Sequence, residues 1–169
     1  MKNIYFVNKG KNMSYIRGLS QSNIKVVSNS TGYDTQTIYS TLAAVSGTEI
    51  TYTPSLCSLG VVYECNYTIY WNPDGMGSYH CVRLQESDDG GSTWSTITGT
   101  QAMEGTYGET DYDTFICHYT HRLEPWTGSK KLRLASRSWA DIADYTIGKC
   151  YTAGSQTIKS LPQVFIYEV

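Results

Sequence analysis

Between residues 61 and 71 apolar and polar side chains alternate with a period of two. Val61, Tyr63, Cys65, Tyr67, Ile69 and Trp71 fall on one face of an extended strand, with Glu64, Asn66, Thr68 and then Asn72 on the other. A second run, residues 112–123, places Phe115, Cys117, Tyr119, His121 and Leu123 on one side. Thr114, Ile116, His118, Thr120 and Arg122 lie on the opposite side. Shorter β-type stretches cover 49–53 (stopped by Pro54), 79–86, 95–98, 130–137, 145–151 and 163–169, with Leu132 and Leu134 pointing inward. Turn chemistry separates them, at Asn72-Pro73-Asp74-Gly75-Met76-Gly77 and in a Gly-rich loop around 105–111. No helical period lasts. The pattern predicts an all-β protein, a jelly-roll or β-sandwich of about eight antiparallel strands.

The first 34 residues break this rhythm. They are rich in Asn, Ser, Lys and Gly, with a single short apolar run at Ile24-Lys25-Val26-Val27. The sequence therefore divides into an extended N-terminal attachment arm, 1–34, and a sandwich domain, 35–169. Removing the arm is expected to abolish attachment and leave the fold intact. The apolar run near Met1 is too brief for the core of a signal peptide, and Met13 offers a second plausible start. No apolar segment approaches the ~18 residues of a membrane span.

Composition sharpens the class. The 169 residues suffice for one domain with a real core. Thirteen basic and fifteen acidic residues give a net charge of −2, which supplies no attraction for nucleic acid or an anionic membrane. Fifteen tyrosines suit half-buried strand positions, where the ring packs and the hydroxyl finds a partner. The cysteines, Cys57, Cys65, Cys81, Cys117 and Cys150, are odd in number and form no C-x-x-C pair. They read as free, buried thiols of a protein made in a reducing cytoplasm.

Ser87-Asp88-Asp89-Gly90-Gly91-Ser92-Thr93-Trp94 spells S-x-D-x-G-x-T-W. It resembles the Asp box, the repeated hairpin of sialidases and related β-propellers. The residues that carry the motif are Ser87, Asp89, Gly91, Thr93 and Trp94. An Asp in such a turn accepts backbone N–H bonds, the glycines supply positive φ, and the Trp packs beneath the turn. In those families the box is structural and remote from catalysis. A sialidase would need several boxes and a far longer chain.

A second resemblance rests on the order of diffuse motifs. Gly47-Thr48-Glu49-Ile50-Thr51-Tyr52-Thr53-Pro54 is followed by the Val61-Val62-Tyr63-Glu64 strand and a hairpin. The chain then closes on Leu161-Pro162-Gln163-Val164-Phe165-Ile166-Tyr167-Glu168. Together these are similar to small C1q/TNF-like jelly-roll modules in structural proteins of tailed bacteriophages, especially those of marine cyanobacteria. The resemblance covers about residues 45–169. It implies a homotrimer acting as a capsid decoration protein or tail fibre, located in the virion, made in the host bacterium, and held to other virion proteins through residues 1–34. The Asp box and the cysteine content depart from that family's pattern. Independently of any family, the mixed face of the 61–71 strand keeps Val62 and Tyr70, apolar material for a neighbouring copy, so the sequence predicts a homo-oligomer.

Chemistry is sparse. His118 and His121 face opposite sides of a strand, and with His80 they assemble no metal site. Glu109, Asp111 and Asp113 are spaced like a solvated acidic loop rather than a calcium loop. No G-x-S-x-G or H-E-x-x-H occurs. The expectation is a non-enzymatic protein without catalytic residue, metal or cofactor. Exposed loops bearing Asn72, Asp74, Met76, Tyr107, Glu109 and Asp111 are the candidate contact surfaces. The alternative is a tail-fibre receptor-binding or carbohydrate-binding adhesin module for a host surface glycan, with Trp71, Tyr79, Trp126 and Trp139 as sugar platforms.

Overall fold

The computed structural model describes residues 5–9, 12–16, 25–28, 36–71, 78–106, 113–138, 145–152 and 156–169, and every regular element in them is a strand. In chain order these are β1 (Tyr5–Lys9), β2 (Asn12–Ile16), β3 (Lys25–Ser28), β4 (Gln36–Ile38), β5 (Ala43–Ala44) and β6 (Ile50–Tyr52). The long strands β7 (Val61–Trp71) and β8 (Ser78–Ser87) follow, then β9 (Ser95–Thr96), β10 (Ala102–Thr106), β11 (Asp113–Leu123) and β12 (Lys130–Ser138). The chain ends with β13 (Tyr145–Ile147), β14 (Lys149–Thr152), β15 (Gln156–Lys159) and β16 (Gln163–Glu168).

All pairings are antiparallel. One sheet runs β10–β8–β12–β5, with β6 also on β12 and β9 on β8. The other has β7 at its centre, with β11 along its whole length on one edge. On the opposite edge β16 pairs with the first half of β7 and β13 with its end; β3 then flanks β16, and β4 flanks β13. Take the eight principal strands, β3, β6, β7, β8, β10, β11, β12 and β16, as one to eight. The sheets then read 1-8-3-6 and 2-7-4-5, the strand order of a jelly roll.

The core is the space between the sheets. The predicted inward positions of β7, Val61 through Ile69, are all buried, and they meet Leu84, Leu132, Leu134, Val164 and Ile166. The polar ends of the core tyrosines are satisfied. Tyr63 donates to the Thr48 carbonyl at 2.7 Å, Tyr119 donates to that of Thr100 at 2.8 Å, and the Tyr145 and Ser136 hydroxyls bond at 2.6 Å. Thr48 is itself tied in, donating to the Val45 carbonyl and accepting the Leu134 amide. The abundance of tyrosine is thus a way of filling a wide sandwich while leaving these hydroxyls bonded.

Two strand assignments and the placement of Cys57 differ from the sequence reading. The 145–151 stretch is two strands, because Gly148 turns at φ 80° and sends Lys149–Thr152 off to pair with β15 in a separate ribbon. Ala102–Thr106, read partly as loop, pairs with β8 despite its glycine. Within the segment read as arm, β1 and β2 pair with each other, and β3 pairs with Gln163–Ile166 of β16. Cys65, Cys81 and Cys117 are free and buried, whereas Cys57 is exposed.

Candidate functional site

Of the residues singled out by sequence, the Asp-box set is the best defined. Ser87 donates to Asp89 Oδ1 at 2.7 Å and accepts the Gly91 amide at 2.8 Å. Asp89 also accepts the Thr93 amide at 2.9 Å and the Thr93 hydroxyl at 2.7 Å. Gly90 and Gly91 take φ of 73° and 99°. The Thr93 amide, then its hydroxyl and that of Ser87, hold the Asp89 carboxyl well below the usual carboxylate range. Trp94 donates to the Gly91 carbonyl at 2.9 Å, and the Arg133 guanidinium sits 3.8 Å from its ring centroid. Both oxygens of Asp89 are engaged by the turn itself, so this carboxylate serves the hairpin.

The other candidate loop residues, Asn72, Asp74, Met76, Tyr107, Glu109 and Asp111, lie outside the described residues, as does Trp139. Trp126 is half-buried and meets Tyr52 edge-on at 6.3 Å. Glu168 closes the last strand: burial works to raise its carboxyl, and the Ser55 hydroxyl and amide with the Tyr52 hydroxyl outweigh it, holding it below the ordinary value. Tyr52, pressed by burial and by that carboxylate, is pushed up to about 12.

The histidines do not converge. His118 is exposed and His121 half-buried on opposite sides of β11, and His80 is in the other sheet. His80 is 4% exposed, with Tyr67 and Tyr145 edge-on at 5.6 and 4.8 Å and no hydrogen bond at either ring nitrogen. Burial lowers its pKa to about 3. Among the described residues no three of His, Cys, Asp or Glu come together as a cation would need.

The surface that remains is the outer face of the β7 sheet. Register puts Val62 beside Tyr167, Glu64 beside Phe165 and Thr120, Asn66 beside Gln163 and His118, and Thr68 beside Ile116. Val62, Phe165 and Tyr167 are half-buried, and Ile116 is 82% exposed. Between them runs a polar rung. His118 Nδ1 lies 2.6 Å from Asn66 Oδ1 and 3.9 Å from a Glu64 oxygen.

This face changes character along its length. β16 pairs with β7 as far as Asn66 and β13 takes over at Ile69. In the gap the Gly148 amide donates to the Thr68 carbonyl, and the Ser160 amide to that of Gly148, where the β14–β15 ribbon leaves the sandwich. A groove of about 430 Å³ opens there, lined in part by Asn66, Thr68, Ile116, Leu161 and Gln163. Sequence reading had flagged none of this as a site. The exposed Ile116 at an outward position was its one visible sign.

Pairing order and a closed core define the class, an all-β jelly-roll sandwich. No protein-family model and no curated protein matches the chain. Among solved structures it is similar to Eiger TNF from S. frugiperda, at 11% identity and a TM-score of 0.38, over 87% of this chain and 93% of that one.

Proposed function

We propose that this chain is a non-enzymatic structural module that works as a homo-oligomer, a virion protein of a tailed phage of the capsid-decoration or fibre kind, attached through its N-terminal segment. The observation that supports self-association is the Val62–Phe165–Tyr167 end of the β7 sheet, where apolar side chains stand half-exposed on the outward face. Glu64 and Arg122 on the same face give charges of both signs for setting register. Trimeric order and the phage setting come from the sequence resemblance.

The test is the native mass by light scattering coupled to size exclusion. A multiple of 18.9 kDa is expected, threefold by the resemblance. Replacing both Phe165 and Tyr167 by Asp should return it to one chain while leaving the β-sheet circular dichroism intact. A monomeric wild type at high micromolar concentration would overturn the oligomer.

A further inference from the structure

We propose that the outer face of the β8 sheet docks an acidic, extended peptide segment of a partner protein, held by Arg83 and Arg133. The two stand on neighbouring strands, diagonally across the register: Arg83 is opposite Ala135, and Arg133 is opposite Gln85. Arg83 donates to Gln101 Oε1 at 2.9 Å. Arg133 Nε donates to Gln85 Oε1 at 2.9 Å, and its guanidinium lies 3.8 Å from the Trp94 ring centroid. The acids nearby are engaged elsewhere. Glu49 accepts from Lys131 at 2.6 Å, Glu86 and Asp88 face Lys130 at 2.8 and 3.3 Å, and Asp89 is held by its own turn. Among the described residues neither arginine has a carboxylate partner. Burial works against the Arg133 charge and Glu49 offsets it only in part, so its pKa stays below the ordinary arginine value. In a chain of net charge −2, one sheet face thus carries two cations without a counter-charge.

That arrangement selects the partner. Each guanidinium is oriented by a neutral amide oxygen and keeps N–H donors for a planar oxyanion, the fork that pairs bidentately with a carboxylate. Diagonal neighbours in an antiparallel pair are ~7–8 Å apart. Acids at alternate positions of an extended peptide recur every ~6.8 Å on one side. An Asp-x-Asp or Glu-x-Glu stretch therefore reaches both arginines at once. Ala135, opposite Arg83, is small and buried, which lets a peptide backbone approach. Single-stranded nucleic acid fits less well, because its bases need aromatic platforms. The Trp94 ring already carries Arg133, and no aromatic side chain stands at positions 81, 83, 85 and 87 of β8 or 131, 133, 135 and 137 of β12. The self-association proposed above uses the β7 sheet, so this face stays open in the oligomer.

Heteronuclear NMR titration of the full chain tests the proposal, read at the Trp94 indole N–H beside Arg133. The probes are a capped peptide of alternating Asp and Thr, its Asn-for-Asp counterpart, and oligothymidylate. At physiological salt the Asp peptide is expected to shift the indole signal saturably, and the Asn peptide to leave it unmoved. Arg83→Gln and Arg133→Gln should each weaken binding about tenfold. Arg122→Gln, which removes the same charge from the other sheet, should not. Arg133→Lys keeps the charge and loses the fork, so it should recover only part of the affinity. If Arg133→Gln lowers the thermal midpoint, Arg83→Gln, which leaves the Trp94 contact in place, carries the test. Absence of a saturable shift at millimolar Asp peptide would overturn the surface. So would an equal loss in Arg122→Gln, which reduces the effect to net charge, or tighter binding of oligothymidylate than of peptide at the same arginines.

Discussion

His80 is an imidazole placed among tyrosine edges with neither nitrogen bonded, so the fold accepts it only as the neutral ring. In the unfolded chain it titrates near 6.5, in the folded one at about 3. Between those values the unfolded state holds the extra proton, so stability falls as pH drops below 6.5, by up to about 1.4 kcal/mol per unit. Chemical denaturation between pH 7 and 4.5 should show this slope, and His80→Phe should flatten it. Glu168 and Asp89, both lowered, act in the same direction but in the window below the ordinary carboxylate pKa, so they do not imitate it. Asp89 makes a separate, local prediction. Asp89→Ala removes the acceptor of the Thr93 amide and hydroxyl, so amide exchange at Thr93 should speed up. Exchange in β7 should stay as it is, because the octet bonds to itself.

At the level of elements the informative position is Gly148. Its φ of 80° ends β13 and lets its amide reach Thr68, so a side chain there is strained. Gly148→Ala should destabilise the protein by about 1–2 kcal/mol in urea titrations, with the loss appearing in exchange of the Thr68 region. That break was invisible in sequence because Lys149-Cys150-Tyr151 continues the β-type run on the far side of the glycine. By contrast β7 and β11 were legible almost residue by residue. Each has one face in the core, and a one-residue slip would expose Tyr63 and Tyr119, so the pattern is under strong constraint. The pairing of β10 with β8 was not legible, since Gly105 interrupts the stretch and the partner supplies the order. The groove was illegible for a related reason. It exists only where β16 and β13, far apart in sequence from β7, divide its edge between them, and no local window contains that junction.

For the molecule as a whole, the proposed function assigns attachment to the N-terminal segment. β1 and β2 pair only with each other among the described strands, whereas β3 lies in the sheet against Gln163–Ile166. An isolated two-stranded ribbon has little stability of its own in water, which fits the proposed attachment of β1 and β2 to a partner. Two truncations separate the roles. Deleting 1–24 should leave the thermal midpoint within a degree or two of the full chain while abolishing binding to the parent particle. Deleting 1–34 should also strip β3 from β16, bare the backbone of that edge, lower the midpoint and promote edge-to-edge association. On the proposed reading, self-association uses the outer β7 face, because the inner faces are already spent on the core. If the 1–24 truncation still occupies the particle fully, attachment resides in the sandwich, and the Val62–Tyr167 end of the β7 face becomes the surface to mutate next.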